Sequence, residues 1–384
     1  MKESLKEAEA MALLVMARGV FYRGRDAALR AAGSARAVIE EPEAYARQLG
    51  EAGVAAVRES ARQGELRLEA MRQEGIGLIV LGGEGYPARL SQIHRPPHLL
   101  FVKGRASLEE RFPVAVVGTR RASRYGLEHT RGIAADLARA GVCVVSGLAV
   151  GIDAAAHRGA LEAQGRTVAI LGGALDRFYP MENEALMERI LACGGSVATE
   201  YPPGTPPGKY SFLERNRIIA GMSLGVLVTE GGRRSGAQRT VREALDEGRE
   251  IFALPGSVDS EGSALPNGLI ADGARLITCA QDILGALVIE PGQARREPPR
   301  PKTPEAAKPP KPPKEPAAAQ GQASSGLDGR EAAVFAVLAQ GETDFDTLCE
   351  RTGIAPDDLG ATLTALELDG RVRALAGLRY EACG

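Results

Sequence analysis

Residues 114–161 read VAVVGTRRASRYGLEHTRGIAADLARAGVCVVSGLAVGIDAAAHRGAL. Two apolar runs, AVVG and VCVVSG, each end in a glycine turn that leads into a helical pattern. Strand, glycine turn and helix form the unit that builds an anion site from backbone N–H groups and a helix N terminus. The first turn departs from a dinucleotide-binding turn. Gly118 is followed by Thr119, Arg120, Arg121, Ala122, Ser123 and Arg124, so guanidiniums and hydroxyls stand where further glycines would be. Such a turn suits a run of phosphates better than a single pyrophosphate.

The same alternation continues on both sides. Strand patterns recur as TVAILGG, SVATE, GVLVTEGG, EIFALPG and RLIT, separated by helical stretches such as ENEALMERILACGG, FLERNRIIAGMS and AQRTVREALDEG. Near-continuous apolar strands joined by helices predict a parallel sheet covered on both faces. Glycines recur at the carboxyl ends of the strands, the edge where open α/β sheets bind ligands.

The 384 residues, 44% hydrophobic and 25% charged, suffice for two or three domains. Residues 1–75 show helical periodicity without a strand pattern and read as a small helical domain. Residues 76–290 carry the sheet and open on a strand, turn, helical turn and strand. Residues 291–325 hold ten prolines, with seven basic and three acidic groups, and read as a polyproline II spacer. Residues 326–384 contain three helical segments followed by VRALAG and LRYEA, a winged-helix pattern. Its last helix brings Asp357, Asp358, Glu367 and Asp369 and no basic residue, a poor surface for a phosphate groove, so protein contact is expected of it.

Composition narrows the function. No run approaches the roughly 18 apolar residues that a membrane span needs. The apolar stretch near the N terminus is too short and too acid-flanked for a secretory signal. The five cysteines are scattered without C-x-x-C, as expected of reduced cytoplasmic thiols. His94 and His98 flank Pro96 and Pro97, which rules out a helical metal face. PGTPPGKY has Pro203 where a phosphate-binding loop needs its first glycine, and the second strand ends in Ser146 rather than an acid for a ribose. Neither a nucleotide cofactor nor a metal is implied. Trp is absent and aromatics are 4%, so a nucleic-acid site must rest on the phosphates and a few rings.

The candidate site residues lie on loops of one sheet edge. The first loop offers Arg120, Arg121 and Ser123, and the second offers Ser146, Gly147 and Gly151 as an anion cradle. Asp153 reads as a helix cap. His157 reads as a buried structural histidine or as part of the cleft wall. GGALDRFYP adds Asp176, Phe178 and Tyr179, and GKYSFLERNR adds Lys209, Phe212, Arg215, Asn216 and Arg217. Phe212 is a stacking ring or a core side chain. Arg215 and Arg217 point roughly 200° apart on one helix, so one can face the cleft while the other bonds internally. No nucleophile–base pair accompanies these groups, so the pattern is a binding pocket, suited to single-stranded nucleic acid.

VAVVGTRRAS, SGLAVGIDAAAHRGAL, GGALDRFYPMEN, FLERNRIIAGMS, FALPGS and PNGLIADGA, in this order, resemble the DNA-processing protein A family, DprA or Smf, most closely over 76–288. The resemblance implies an extended Rossmann-like fold with an N-terminal helical, SAM-like domain and a C-terminal winged helix. It implies a cytoplasmic homodimer that protects incoming single-stranded DNA in natural transformation, displaces single-strand-binding protein and loads the RecA recombinase. It carries the DNA site to Arg120, Phe212, Arg215 and Asn216, with Lys209 beside them. Leu213, Glu214 and Arg239 depart from the family's usual residues. A different reading takes TEGGRRSGAQRTVREA as the loop of a nucleotide phosphoribohydrolase, with Glu243 as its carboxylate.

Overall fold

The computed structural model describes residues 5–289, 329–354, 356–368, 371–375 and 379–382; the Pro-rich segment 291–325 and Asp369 lie outside them. The chain divides into two compact units, 1–295 and 296–384.

The first unit is built on strands β1 (Gly77–Val80), β2 (Leu99–Gly104), β3 (Pro113–Val117), β4 (Cys143–Ser146), β5 (Thr167–Ile170), β6 (Ser196–Thr199), β7 (Gly225–Val228), β8 (Glu250–Ala253) and β9 (Arg275–Leu276). They form one sheet in the order β1-β2-β6-β5-β4-β3-β7-β8-β9. From β6 to β9 every pairing is parallel, with Val114 opposite Gly225 and Val117 opposite Val228 at the β3–β7 seam. The seven apolar runs expected as strands are all present. The parallel expectation stops at β6: β2 pairs antiparallel with both β1 and β6, and this pair extends the sheet.

Helices α1 (Glu7–Met16), α2 (Tyr22–Ala32), α3 (Ala35–Glu40), α4 (Ala46–Arg62) and α5 (Gly64–Gln73) precede the sheet. Between and after its strands come α6 (Arg124–Arg139), α7 (Ile152–Glu162), α8 (Glu184–Ala192), α9 (Lys209–Met222), α10 (Ala237–Asp246), α11 (Ala264–Ala271) and α12 (Ala280–Ala286). Side chains alternate between the two faces with the two-residue period of a strand. Val114, Val116, Val144 and Leu227 meet α6, α7 and α12 on one face; Ala115, Val117, Val145, Val226 and Val228 meet α9, α10 and α11 on the other. The N-terminal helices share a core with the sheet. Leu13 and Leu14 of α1 belong to the same cluster as Leu99 and Phe101 of β2, Ala169 of β5 and Val197 of β6.

The second unit contains α13 (Gly329–Leu338), β10 (Thr343–Asp344), α14 (Phe345–Thr352), α15 (Pro356–Leu368), β11 (Val372–Leu375) and β12 (Arg379–Ala382). The last two strands form the expected hairpin, and β10 adds to its free side. Val334, Leu348, Leu363 and Tyr380 lie in its core, and Asp358 and Glu367 of α15 are exposed. Among the described residues no helix is long and apolar enough to cross a membrane.

Helix α9 is held from behind by buried charge. Glu214 accepts from Arg95 Nη2 at 2.7 Å, and Arg217 pairs with Glu200. Arg95 lies 5.5 Å from the centre of the Tyr22 ring, which stacks on His98 at 4.6 Å. The His98 ring lies between Arg25, at 3.2 Å, and Asp26, at 3.3 Å. Burial, reinforced by Arg25, pushes this imidazole down to about 4. A buried charge stripped of its partner is strongly destabilising. Glu214→Ala is therefore expected to lower the unfolding free energy by about 3 kcal/mol, read as a shifted midpoint in urea denaturation.

Candidate nucleic-acid interface

The strand order reverses at β3, whose neighbours are β4 and β7. At such a switch point the loops leaving adjacent strands diverge and open a crevice. A cleft of about 660 Å³ lies there. Gly118, Thr119, Arg120 and Arg121 after β3 form one wall, Ser235, Gly236 and Ala237 at the start of α10 another, and the first turns of α9 the floor.

Of the residues singled out from sequence, Arg120, Arg121, Lys209, Phe212, Arg215 and Asn216 line this cleft, and so do Asp153 and Tyr179. The Arg120 guanidinium carbon lies 5.1 Å from the centre of the Phe212 ring. Tyr179, 51% exposed, stands across from Phe212 with ring centroids 6.0 Å apart. Arg120, Arg121 and Lys209 are exposed.

Arg215 is buried and partly committed. Its Nη1 donates to the carbonyl of Gly147 at 2.7 Å and also to that of Ile170, and its Nε donates to Asn216 Oδ1 at 3.2 Å. Burial pushes this guanidinium down to about 10, with Asp153 opposing and Arg120 adding to the effect. Gly147 is needed for this approach, because a Cβ there would collide with the guanidinium. Arg217 does not reach the cleft. It lies on the other face of α9, where burial lowers its affinity for the proton and Glu200 and Glu214 more than restore it.

The other named residues serve the loops themselves. Ser146 is buried and donates to the Val116 carbonyl at 2.6 Å. Ser123 is the N-cap of α6 and accepts from the Gly126 N–H at 3.1 Å. Gly151, at φ 85°, turns the chain into α7 beside the Thr119 carbonyl. Asp153 is not the N-cap. It sits in the first turn of α7, lines the cleft, and accepts from the Gly147 N–H at 3.2 Å; burial raises its carboxyl. The backbone cradle expected at residues 146–151 is thus bound internally by this carboxylate. Glu243 does not line the cleft and pairs with Arg239 at 2.7 Å, so each of these two residues answers the other.

Sequence reading passed over Glu230, which is 5% exposed and bonds the loop that carries Arg120. The available signal was an acid placed directly after the apolar run GVLVT and before two glycines.

Fold and cleft together define an extended Rossmann-like α/β protein with a cation-rich crevice at its switch point, followed by a winged helix. Residues 77–288 match the sequence model of the family described as DNA recombination-mediator protein A, and residues 305–377 match that of the DprA winged helix domain. The chain belongs to this DprA/Smf family. It is 42% identical to the Smf protein of Escherichia coli over 214 residues, 56% of this chain and 57% of that protein's length. The X-ray structure of DNA processing protein A from Streptococcus pneumoniae superposes with a TM-score of 0.62 at 35% identity, covering 72% of this chain and 97% of that one. A structure of the Helicobacter pylori protein, described as giving insight into its single-stranded DNA binding mode, superposes with a TM-score of 0.50 at 30% identity. It covers 56% of this chain and 95% of that one.

His157 is part of the core and not of the cleft. Its Nδ1 lies 2.7 Å from Thr167 Oγ1, which donates onward to the Val144 carbonyl at 2.7 Å, so Nδ1 carries the proton. Its Nε2 has no hydrogen-bond partner among the described residues. Burial, with Arg215 and Arg158 adding to it, pushes this imidazole down to about 3. The folded state then keeps His157 neutral while the unfolded chain takes up a proton below its ordinary value of 6.5. The contribution is complete above that pH and declines as pH falls toward 3, by at most about 1.4 kcal/mol per pH unit. Denaturant titrations at pH 7 and pH 5 should show a smaller loss for His157→Gln than for the wild type.

Proposed function

We propose that the cleft binds single-stranded DNA. The observation that carries this reading is the Arg120–Phe212 pair: an exposed guanidinium over an aromatic ring, both lining the crevice. Arg120, Arg121 and Lys209 would meet phosphates, and unpaired bases would stack on Phe212 and Tyr179. Asn216 and the remaining donors of Arg215 would face base edges. Stacking requires an unpaired base, which is the physical basis for a single-strand preference.

Within the same reading the protein acts in natural transformation. As a cytoplasmic homodimer it protects the incoming strand, displaces single-strand-binding protein and helps load the RecA recombinase. Support comes from membership of the recombination-mediator family and from the single-stranded DNA binding described for the H. pylori relative. We assign the winged helix to protein contact, since α15 presents Asp358 and Glu367 and no basic side chain.

Fluorescence anisotropy with labelled oligothymidylate and a matched duplex tests the cleft. The single strand should bind more tightly, with a log–log salt slope of about −0.7 per phosphate contacted. Arg120→Glu should abolish binding, and Phe212→Ala should cost about 1–3 kcal/mol. Equal affinity for duplex and single strand would overturn the reading. Loading is tested separately: strand exchange by the recombinase, on DNA coated with single-strand-binding protein, should accelerate when the protein is added.

A further inference from the structure

In an open α/β sheet the helix after the first parallel strand offers its N terminus to a phosphate. Here that helix is α6, and a carboxylate already stands at its N terminus. The Glu230 side chain accepts from the Ser123 N–H at 2.8 Å, and the Glu230 backbone carbonyl accepts from the Thr119 N–H at 2.8 Å. One residue therefore holds both ends of the segment that carries Arg120 and Arg121. Two glycines make room for it, since a Cβ at either Gly126 or Gly262 would collide with the carboxylate. A buried carboxylate is costly unless its oxygens are met, and Oε2 of this one is met by the Ser123 N–H of the loop it holds.

We propose that Glu230 is a positioning residue: its carboxylate takes the seat of a phosphate at the N terminus of α6 and clamps Thr119–Ser123 so that Arg120 stays over Phe212. The inference rests on the cleft as a site for single-stranded DNA. It makes the first glycine turn a support for guanidiniums, while the strand's own phosphates are met by side chains farther out. Removing the carboxylate should both loosen the loop and open an anion seat.

The test uses the full chain, oligothymidylate anisotropy, and inorganic phosphate as the probe, with ionic strength matched by chloride. Glu230→Gln keeps an oxygen that accepts from Ser123, and its affinity for the strand should stay within about threefold of wild type. Glu230→Ala should bind about tenfold more weakly, equivalent to about 1.4 kcal/mol. Phosphate should raise the melting temperature of Glu230→Ala and restore part of its affinity, while leaving wild type and Glu230→Gln unmoved. If Glu230→Ala does not fold, Glu230→Asp takes its place, because the shorter side chain draws back from Ser123. Wild-type affinity in the shortened variant, or a phosphate effect of equal size on all proteins, would overturn the clamp. A wild type that binds no single strand would instead overturn the reading of the cleft, and the inference with it.

Discussion

Five parallel strands, β3 to β7, buried under helices on both faces leave polar chemistry one exit, the loops at their carboxyl ends. Strands β3 to β7 are buried along their whole length, so no charged side chain can stand on them without displacing the helices that cover them. The reversal of strand order at β3 then decides where along that edge a crevice opens. What varies is how the loops satisfy their own backbone. Glu230 and Asp153 do so from within, each beside the N terminus of a helix that could otherwise hold an anion. The charge left to face outward is carried by guanidiniums and one ammonium on side chains that reach away from the sheet.

Helix α9 joins the two sides of this arrangement. Its first turns supply Lys209 and Phe212 to the cleft, and Arg215 reaches under the β4 loop to hold the Gly147 carbonyl. Its opposite face carries Glu214 and Arg217 into the ion pairs that tie it to Arg95 and Glu200. Glu214, unusual by the pattern of the resemblance, is answered by Arg95, and Arg239 is answered by Glu243 one helical turn along.

Much of this was legible in the sequence for a definite reason. Strands buried on both faces appear as short unbroken apolar runs, and the glycines that end them mark the ligand edge; Gly118 and Gly147 are examples. Cations and a ring recurring on successive loops pointed to a binding pocket, and the family resemblance narrowed it to Arg120, Phe212, Arg215 and Asn216. Long-range pairing could not be read this way. Arg215 and Arg217 look alike in the chain, and only their distance from Glu200 and from the cleft separates them. Ser146 resembled an anion ligand because its hydroxyl's partner, the Val116 carbonyl, lies 30 residues away. The antiparallel pairing of β2 with β6 joins segments that no local pattern connects. Glu230 escaped notice because a lone acid after a strand is ordinarily a surface residue, and its burial depends on glycines at 126 and 262.

The shared core of the N-terminal helices and the sheet bears on how the chain is made. Helix α1 packs on β1 and β2, and the apolar cluster they share also takes in residues of β5 and β6, which emerge roughly a hundred residues after α5. At ordinary elongation rates that interval is about 5–20 s, far longer than a helix needs to form. The nascent helices thus wait with part of their apolar cluster still missing, and apolar surface exposed in that way is what holding chaperones bind. The sheet that completes the cleft is also what ends this exposure.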